Sequence, residues 1–170
     1  MKDTDEDFMQ LALEQAGLAL NNSWIPVGAV FVRNGQVVAH GRKTGINHPL
    51  FDHAEHNGCY QALWSREGPR NLDGFTVYTT LEPCIMCLSM LMTARVSRIV
   101  YALDDPYGGG GFLLKNPSML CPRFQEERPV ITGGVLQEAS KDLLRQFFSK
   151  QVGAKNWSDK NNPLVKLVMG

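Results

Sequence analysis

Two short stretches of the chain carry residue types that can bind a metal ion and move protons. The first, at positions 51–61, reads FDHAEHNGCYQ and contains His53 and Glu55. The second, at positions 80–87, reads TLEPCIMC and contains Cys84 and Cys87. An imidazole and two thiolates are ligands that zinc favours, and three protein ligands leave the fourth tetrahedral position open for water. This combination is typical of a catalytic zinc centre rather than a structural one.

The spacing within the second stretch places its two thiols together. Cys84 and Cys87 stand at positions i and i+3, on one face of a helix, and Pro83 suits the first turn of a helix over residues 83–93. The helix dipole and the unpaired N–H groups at such a start favour thiolate, the form that binds zinc. The backbone N–H of Cys84 could also stabilise charge on an attacking oxygen. His53 stands at another predicted helix start, so its ring meets the sulfurs if the two starts face each other.

Glu55 follows His53 by two residues and is the candidate proton carrier. Zinc lowers the pKa of its water towards neutrality, and a nearby carboxylate can accept the proton of that water and pass it to a leaving group. The combination of His-x-Glu with Pro-Cys-x-x-Cys is the signature of the zinc nucleobase deaminases. The motifs therefore favour hydrolytic deamination as the reaction.

Three other interpretations of these residues stay open at this point. The Cys-x-x-Cys pair could be redox-active. It could instead be half of a structural zinc site, whose fourth ligand would be Cys59, His56 or Cys121. Asp52 and Glu55 could form a capping box, in which the glutamate bonds back to the N–H of the cap residue. Each of these explains one part of the pattern, whereas a catalytic zinc site explains all of it.

The elements that must position these residues follow from hydrophobic periodicity and turn signals. The predicted elements are a helix at 5–20, strands at 26–32 and 36–40 joined by an Asn34-Gly35 turn, a loop at 41–51, a helix at 53–66 capped by Asp52, a strand at 75–80, a helix at 83–93, a strand at 97–102, a loop region at 103–127, a strand at 129–132 and a helix at 136–149. The glycine run 108–111 reads as a mobile lid or simply as a flexible loop. Parallel strands need long crossovers, so this order predicts an α/β fold, a three-layer α-β-α sandwich around a mixed five-stranded sheet.

Composition indicates one globular domain. The 170 residues are 44% hydrophobic and 20% charged, which is ordinary for a domain with its own core. Seventeen basic residues balance seventeen acidic ones, so the net charge gives no sign of a nucleic-acid partner, although residues 150–170 carry four lysines against one acidic residue. No apolar run approaches the ~20 residues of a membrane span, and the acidic N-terminus is unlike a signal peptide. We therefore expect no membrane partner and a cytoplasmic location.

With these residues placed, the chain resembles the cytidine deaminase superfamily, in particular its bacterial tRNA adenosine deaminase and guanine deaminase branch. The resemblance covers about residues 5–150. It rests on IPVGAVFV in the first strand, HAE at 53–55, VYTTLEPCIMCLSML at 77–91 and RVSRIVYALDD at 95–105, and the segment 127–148 most resembles the tRNA adenosine deaminases. It implies a cytidine deaminase-like fold, a homodimer, Zn²⁺ held by His53, Cys84 and Cys87, and Glu55 as proton shuttle.

The resemblance also implies where the base is bound. In the relatives an asparagine about eleven residues before the zinc histidine contacts the base; here that position is Arg42, and the nearest asparagine is Asn47. The candidate substrate-binding residues are Val27, Ala29, Arg42, Asn47, Ala54 and Pro83. These departures concern the substrate and leave the zinc chemistry intact.

The function predicted from the sequence is hydrolytic removal of an amino group from a nucleobase, a nucleoside or a related small heterocycle. One alternative is a tRNA adenosine-to-inosine deaminase of the anticodon wobble position, and another is a non-catalytic zinc-binding partner subunit. Residues 1–150 are expected to form the deaminase domain. Residues 151–170 are expected to form a tail whose apolar end docks on the body or on a partner subunit.

Overall fold

The computed structural model describes residues 4–64, 68–150 and 161–170. Its elements in chain order are α1 (Asp5–Asn21), β1 (Gly28–Arg33), β2 (Gln36–Arg42), α2 (Ala54–Leu63), β3 (Phe75–Leu81), α3 (Ile85–Thr93), β4 (Arg98–Leu103), α4 (Phe112–Lys115), a 3₁₀ turn (Pro117–Met119), α5 (Pro122–Glu126), β5 (Val130–Thr132), α6 (Gln137–Lys150) and α7 (Pro163–Met169). No helix among the described residues is long and apolar enough to cross a membrane.

The five strands form one mixed sheet in the order β2-β1-β3-β4-β5. β1 pairs antiparallel with both β2 and β3, and the turn between β1 and β2 is the predicted Asn34–Gly35 pair, with both residues at positive φ. β3, β4 and β5 run parallel, because each crossover between them passes through helical segments. The predicted fold class is confirmed.

Helices cover both faces of the sheet. Alternate residues of a strand point to opposite faces, so Ala29 and Phe31 pack in one core with α2 and α3, while Val30 and Val32 pack in a second core with α1. α1 starts at a capping box in which the Thr4 hydroxyl accepts from the Asp7 N–H and the Asp7 carboxylate accepts from the Thr4 N–H. These two cores fix the sheet whose ends carry the candidate site.

The C-terminal helix α7 lies against α6 near the ends of β3 and β4. Leu164, Val165 and Val168 are buried there. Their neighbours in this third apolar cluster include Leu81, Leu103, Leu144, Phe147 and Phe148. Residues 151–160, which form the rest of the predicted tail, lie outside the described residues. The C-terminal helix therefore lies beside the carboxyl ends of β3 and β4, where the candidate site is found.

Three expectations about the elements are wrong in detail. The region 103–127, expected to be mostly loop, contains α4, the 3₁₀ turn and α5; these are short helices of five residues or fewer, which carry too little periodicity to be read from sequence. α3 begins at Ile85 rather than at residue 83, because Cys84 is its N-cap. α2 is capped by His53 rather than Asp52 and ends at Leu63, while residues 65 and 66 of the predicted helix are not described.

Candidate metal centre and active-site cavity

His53, Cys84 and Cys87 meet where two helices start. His53 is the N-cap of α2, Cys84 is the N-cap of α3, and Cys87 lies in the first turn of α3. His53 Nδ1 lies 3.7 Å from Cys84 Sγ and 3.5 Å from Cys87 Sγ, and the three candidate ligand atoms all lie within 4.8 Å of one another. The spacing argument from the sequence therefore describes a real cluster.

Close packing of α2 against β2 sets the position of the histidine. A Cβ built on Gly41 of β2 would lie 1.9 Å from the carbonyl oxygen of Ala54 in the first turn of α2. Only glycine allows this approach of backbone to backbone. Because Ala54 follows His53 directly, the same contact holds the histidine at the end of the sheet, opposite the start of α3.

The donor set fits a zinc ion. A hydrogen bond from the Cys87 thiol, together with His53, lowers the pKa of Cys84 to about 4. The same bond to Cys84, together with burial, raises the pKa of Cys87. The cluster thus already favours one thiolate, and a bound cation would favour the second. Two thiolates and an imidazole are ligands that suit zinc.

The three residues proposed as a fourth ligand of a structural site are not part of this cluster. Among the described residues, the group that could hold a metal consists of His53, Cys84 and Cys87 alone. Cys59 is a buried residue of α2 whose pKa is raised to about 11 by burial, and Cys121 is exposed. The three-ligand arrangement leaves a coordination position for a small molecule, as a catalytic site requires.

Glu55 lies in the floor of the site and does not cap the helix. Its side chain is 3% exposed, and its carboxylate accepts a hydrogen bond of 3.0 Å from the Thr79 hydroxyl on β3. Burial raises the pKa of Glu55 above its usual range. The N-cap of α2 makes no side-chain capping hydrogen bond, so the capping-box interpretation is wrong. A buried carboxyl with a raised pKa is suited to proton transfer near neutral pH.

Asp52 ties the loop that follows β2 to α2. Its carboxylate is 1% exposed and accepts from the N–H and hydroxyl of Thr44, from the Gly45 N–H and from the side-chain amide of Asn57. Burial raises the pKa of Asp52, but these hydrogen bonds together lower it further, so the net shift is downwards. The residue expected to cap α2 instead fixes the loop beside the metal centre.

A cavity of about 270 Å³ opens onto the three-residue cluster. Its walls come from segments distant in the sequence: Ile25, Val27, Lys43, Pro49, Asp52, His53, Ala54, Glu55, Leu81, Glu82, Cys84, Asp105, Tyr107 and Leu164. Among these described residues, one side chain carries an ammonium group, that of Lys43. Four carry carboxyl groups: Asp52, Glu55, Glu82 and Asp105. The volume lies just below the usual range for small-molecule sites.

Four of the six candidate substrate-binding residues are not in this lining. Val27 and Ala54 line the cavity, as expected. Ala29 is fully buried in β1, and the Pro83 carbonyl accepts from the Gly110 N–H. The remaining two point elsewhere: Arg42 donates to Gln15 on α1, and Asn47 donates to Asn57.

Lys43 and two acidic residues of the cavity were missed by sequence reasoning. Side chains alternate along a strand, so a wall position assigned to Arg42 at the end of β2 belongs to its neighbour Lys43. Glu82 and Asp105 follow the carboxyl ends of the parallel strands β3 and β4, where ligands of α/β sheets bind. Their position directly after two predicted parallel strands is the sequence signal that could have identified Glu82 and Asp105.

The glycine run packs around Glu82. The Glu82 carboxylate accepts hydrogen bonds of 2.9 Å from the N–H groups of Asp105 and Gly111. A Cβ on Gly109 would lie 2.6 Å from the backbone carbonyl oxygen of Asp105 and 2.3 Å from the Glu82 carboxylate, so this position needs glycine. The run is therefore a tightly turned segment that surrounds a buried carboxylate, and it brings Asp105 and Tyr107 to the cavity.

Comparison with known proteins identifies the family. Residues 2–103 match the cytidine and deoxycytidylate deaminase zinc-binding region. The chain belongs to this family. It is a zinc-dependent hydrolytic deaminase of nucleobases or nucleosides, as predicted, and the family match and the cluster together fit Zn²⁺ as cofactor. The alternative of a non-catalytic zinc-binding partner subunit is not supported.

Three relatives illustrate the similarity. The tRNA-specific adenosine deaminase of Bacillus subtilis (strain 168) is 34% identical over 161 residues, which cover 91% of this deaminase and 98% of the relative. A solved structure from a study of A-to-I editing by tRNA:A34 deaminases is 32% identical, with a TM-score of 0.70 over 81% of this deaminase and 98% of that chain. The structure of guanine deaminase from Bacillus subtilis is 30% identical, with a TM-score of 0.57 over 66% of this deaminase and 76% of that chain.

Proposed function

We propose that this deaminase acts on a neutral nucleobase or nucleoside that enters the cavity as a free small molecule. The observation that carries the proposal is the charge of the described cavity lining, four carboxylates against the single ammonium of Lys43. In such a site a phosphate group would meet carboxylates such as Asp105 and Glu82, and like charges at short range repel. A base or nucleoside carries no such charge.

The shape of the cavity supports a small substrate. Its volume of about 270 Å³ suits a ligand smaller than most drugs. Leu164 of α7 forms part of its wall and is only 2% exposed. A wall contributed by the end of the chain narrows the space in which a polynucleotide could approach the cluster.

The roles we propose for the site residues follow from their positions. His53, Cys84 and Cys87 hold the zinc. Zinc, when bound there, polarises a water molecule and lowers its pKa towards neutrality. Glu55, in the floor of the cavity, takes a proton from the attacking water and delivers protons to the ring nitrogen and then to the departing amine. The net reaction adds one water, forms a ring carbonyl and releases ammonia.

Backbone groups around the cluster complete the proposed site. The N–H of Cys84, at the N-cap of α3, is available to stabilise charge that develops on the attacking oxygen. The Ala54 N–H and the side chain of Val27 belong to the cavity wall and are proposed to contact the base. Arg42, Asn47, Ala29 and Pro83 receive no such role.

Deamination of adenosine in tRNA is the second candidate, because relatives matched along most of their length are tRNA-specific adenosine deaminases. The two candidates share all the chemistry and differ in how the substrate is held. Binding of RNA neutralises phosphates and releases counterions, so it weakens steeply with salt, with a log–log slope of about −0.7 for each single-strand phosphate contact. Binding of a neutral base or nucleoside lacks this dependence.

The experiment is ammonia release from the purified zinc-loaded enzyme. The substrates are free bases, their nucleosides, their 5′-monophosphates and an anticodon stem-loop, each at about 50 and 200 mM salt. We expect turnover of at least one neutral base or nucleoside, with little change in KM between the two salt concentrations and weaker activity on the monophosphate. Inosine formation in the stem-loop with a steep salt dependence, and no turnover of any free base or nucleoside, would establish the tRNA function instead.

We also propose a homodimer in the cytoplasm. Large apolar side chains are exposed on one stretch that runs from the loop after β2 along α2: Ile46, Leu50, Phe51, Tyr60 and Trp64. Tyr60 and Trp64 stack with ring centroids 4.6 Å apart. Exposed apolar residues grouped in this way favour an interface with a second copy. The four free cysteines suit a reducing compartment, and sedimentation of the purified protein measures the oligomeric state.

The division of the chain is a further proposal. Residues 1–150 form the deaminase domain, and the tail at 151–170 docks on the body of its own chain. The burial of Leu164 and Val168 against α6 supports docking within the chain. Docking on a partner subunit instead would make activity depend on protein concentration.

A further inference from the structure

Lys43 is a cation in the cavity that no described residue neutralises. It is partly buried, and it makes no hydrogen bond and no ion pair with any residue that the structure describes. Its ammonium lies 6.0 Å from the centre of the Trp24 ring, which is 37% exposed. At this distance the ring attracts the ammonium by a cation–π contact.

The carboxylates that share the cavity already have donors. Asp52 accepts from Thr44, Gly45 and Asn57, and Glu82 accepts from the backbone N–H groups of Asp105 and Gly111. Asp105 accepts from the Tyr107 N–H at 2.9 Å. A partly desolvated ammonium without an acceptor is unfavourable, so a ligand in the cavity is the natural source of one.

The chemistry of an ammonium limits which ligand group that is. Lysine has three donors and no acceptor, so the edge of the substrate that faces Lys43 must present acceptors. A phosphate would meet the surrounding carboxylates. A ring carbonyl is a strong neutral acceptor, and lysine is the partner that reads the carbonyl and ring-nitrogen edge of guanine, whereas the amides of asparagine and glutamine read the amino-bearing edge of adenine.

We propose that Lys43 is a specificity-determining residue, which donates a hydrogen bond to a ring carbonyl of the substrate. The enzyme then prefers amino bases that also carry a carbonyl, as cytosine and guanine do, over adenine, which has none. The amino group to be removed faces the zinc ligands and Glu55, and the carbonyl faces Lys43. This assignment rests on the proposed function, because it requires that a neutral base enters the cavity.

The test compares Lys43→Met with Lys115→Met. Methionine keeps most of the length of the side chain and removes its charge and its donors, and Lys115 is an exposed lysine of α4 outside the cavity lining. The substrates form two groups. Cytosine, guanine and their nucleosides carry a ring carbonyl, whereas adenine and adenosine carry none. We expect wild type to prefer the carbonyl-bearing group. Lys43→Met should lower kcat/KM for that group by about 10- to 100-fold, the scale of one hydrogen bond to a charged group, and change adenosine by less than about threefold, while Lys115→Met changes neither.

A binding measurement decides the question independently of turnover. In the Glu55→Gln background, calorimetry gives the Kd of cytidine, guanosine and adenosine, first with Lys43 present and then with the additional substitution Lys43→Met. Selective weakening of cytidine or guanosine supports the assignment. Equal weakening of all three, no weakening, or a wild-type preference for adenosine overturns it. The proposed function fails by a different result, the absence of ammonia release from every free base and nucleoside.

Discussion

Replacement of Asp52 by asparagine should destabilise the loop that carries Lys43. The Asp52 carboxylate accepts from the N–H of Gly45 at 2.6 Å, from the side chain of Asn57 at 2.8 Å and from the N–H and hydroxyl of Thr44 at 3.1 Å. The asparagine side chain has one acceptor oxygen where aspartate has two, so it can accept from fewer of these donors. Its NH₂ group would also face N–H groups that now donate to Asp52. A hydrogen bond to a charged group contributes about 1.5–3 kcal/mol. The loop is exposed, so its donors can form hydrogen bonds with water in the variant. We therefore expect the free energy of unfolding to fall by about 2–4 kcal/mol, which is less than the sum of the individual hydrogen-bond contributions.

The loss should depend on pH in a defined direction. The pKa of Asp52 is lowered in the folded protein. A carboxyl with a lowered folded pKa stabilises the fold above its unfolded pKa of about 3.9, and this stabilisation disappears as the pH falls through the folded pKa. Asparagine does not titrate. The difference in stability between wild type and Asp52→Asn should therefore be constant from pH 7 to about pH 5 and shrink below about pH 4.

Urea denaturation of the zinc-loaded proteins at a series of pH values measures this difference. Asp73→Asn is the matched control, because Asp73 is exposed and its side chain accepts a long bond of 3.3 Å from Ser97, so the change in stability should be less than about 0.5 kcal/mol. KM should rise in Asp52→Asn, because Lys43 and His53 lie at the two ends of the loop that the Asp52 carboxylate holds in place. A loss below about 0.5 kcal/mol at pH 7, or a loss that does not change with pH, would refute the reasoning.

Three further predictions concern the metal, the proton carrier and the C-terminal wall. Cys87→Ala should lose most of the roughly one zinc per chain measured by metal analysis, because two ligands hold zinc poorly, and full retention would contradict the ligand assignment. Glu55→Gln should keep its zinc and its stability but lower kcat by at least ~10²; retained activity with lost stability would show a structural role. Leu164→Ala should lower the free energy of unfolding by about 2–4 kcal/mol and raise KM, whereas unchanged KM would show that α7 does not act as a wall for the substrate.

The part of the site that was predictable from the sequence is the part fixed by local structure. His53 and Cys84 are helix N-caps, and Cys87 follows one turn later. The spacing of Cys84 and Cys87 therefore determines their relative geometry, and the sequence places His53 at a helix start, although its approach to the sulfurs depends on the packing of α2 against β2. The same holds for the fold, where the Asn34–Gly35 turn and the helical crossovers specify the direction of each strand.

The part that was not predictable depends on register and on distant contacts. A shift of one residue at the end of β2 exchanges Arg42 for Lys43 in the cavity wall. Asp52 was predicted to be a helix cap because aspartate is favoured at that position. In the structure its carboxylate instead accepts hydrogen bonds from the N–H groups of Thr44 and Gly45. No local signal places Leu164 in the cavity, since its position depends on how α7 packs against α6.

This division explains why the reaction follows from the sequence more readily than the substrate. The groups that act on the C–N bond stand at two helix starts, so any chain that keeps the two motifs keeps the chemistry. The residues that line the rest of the cavity come from segments such as the loop after β2, the loop after β4 and the C-terminal helix, which can change while the zinc ligands remain. A relative 34% identical in sequence can therefore share the reaction and differ in the base it accepts. In this deaminase the deciding position is Lys43, because it presents a donor where a carbonyl, and no phosphate, can meet it.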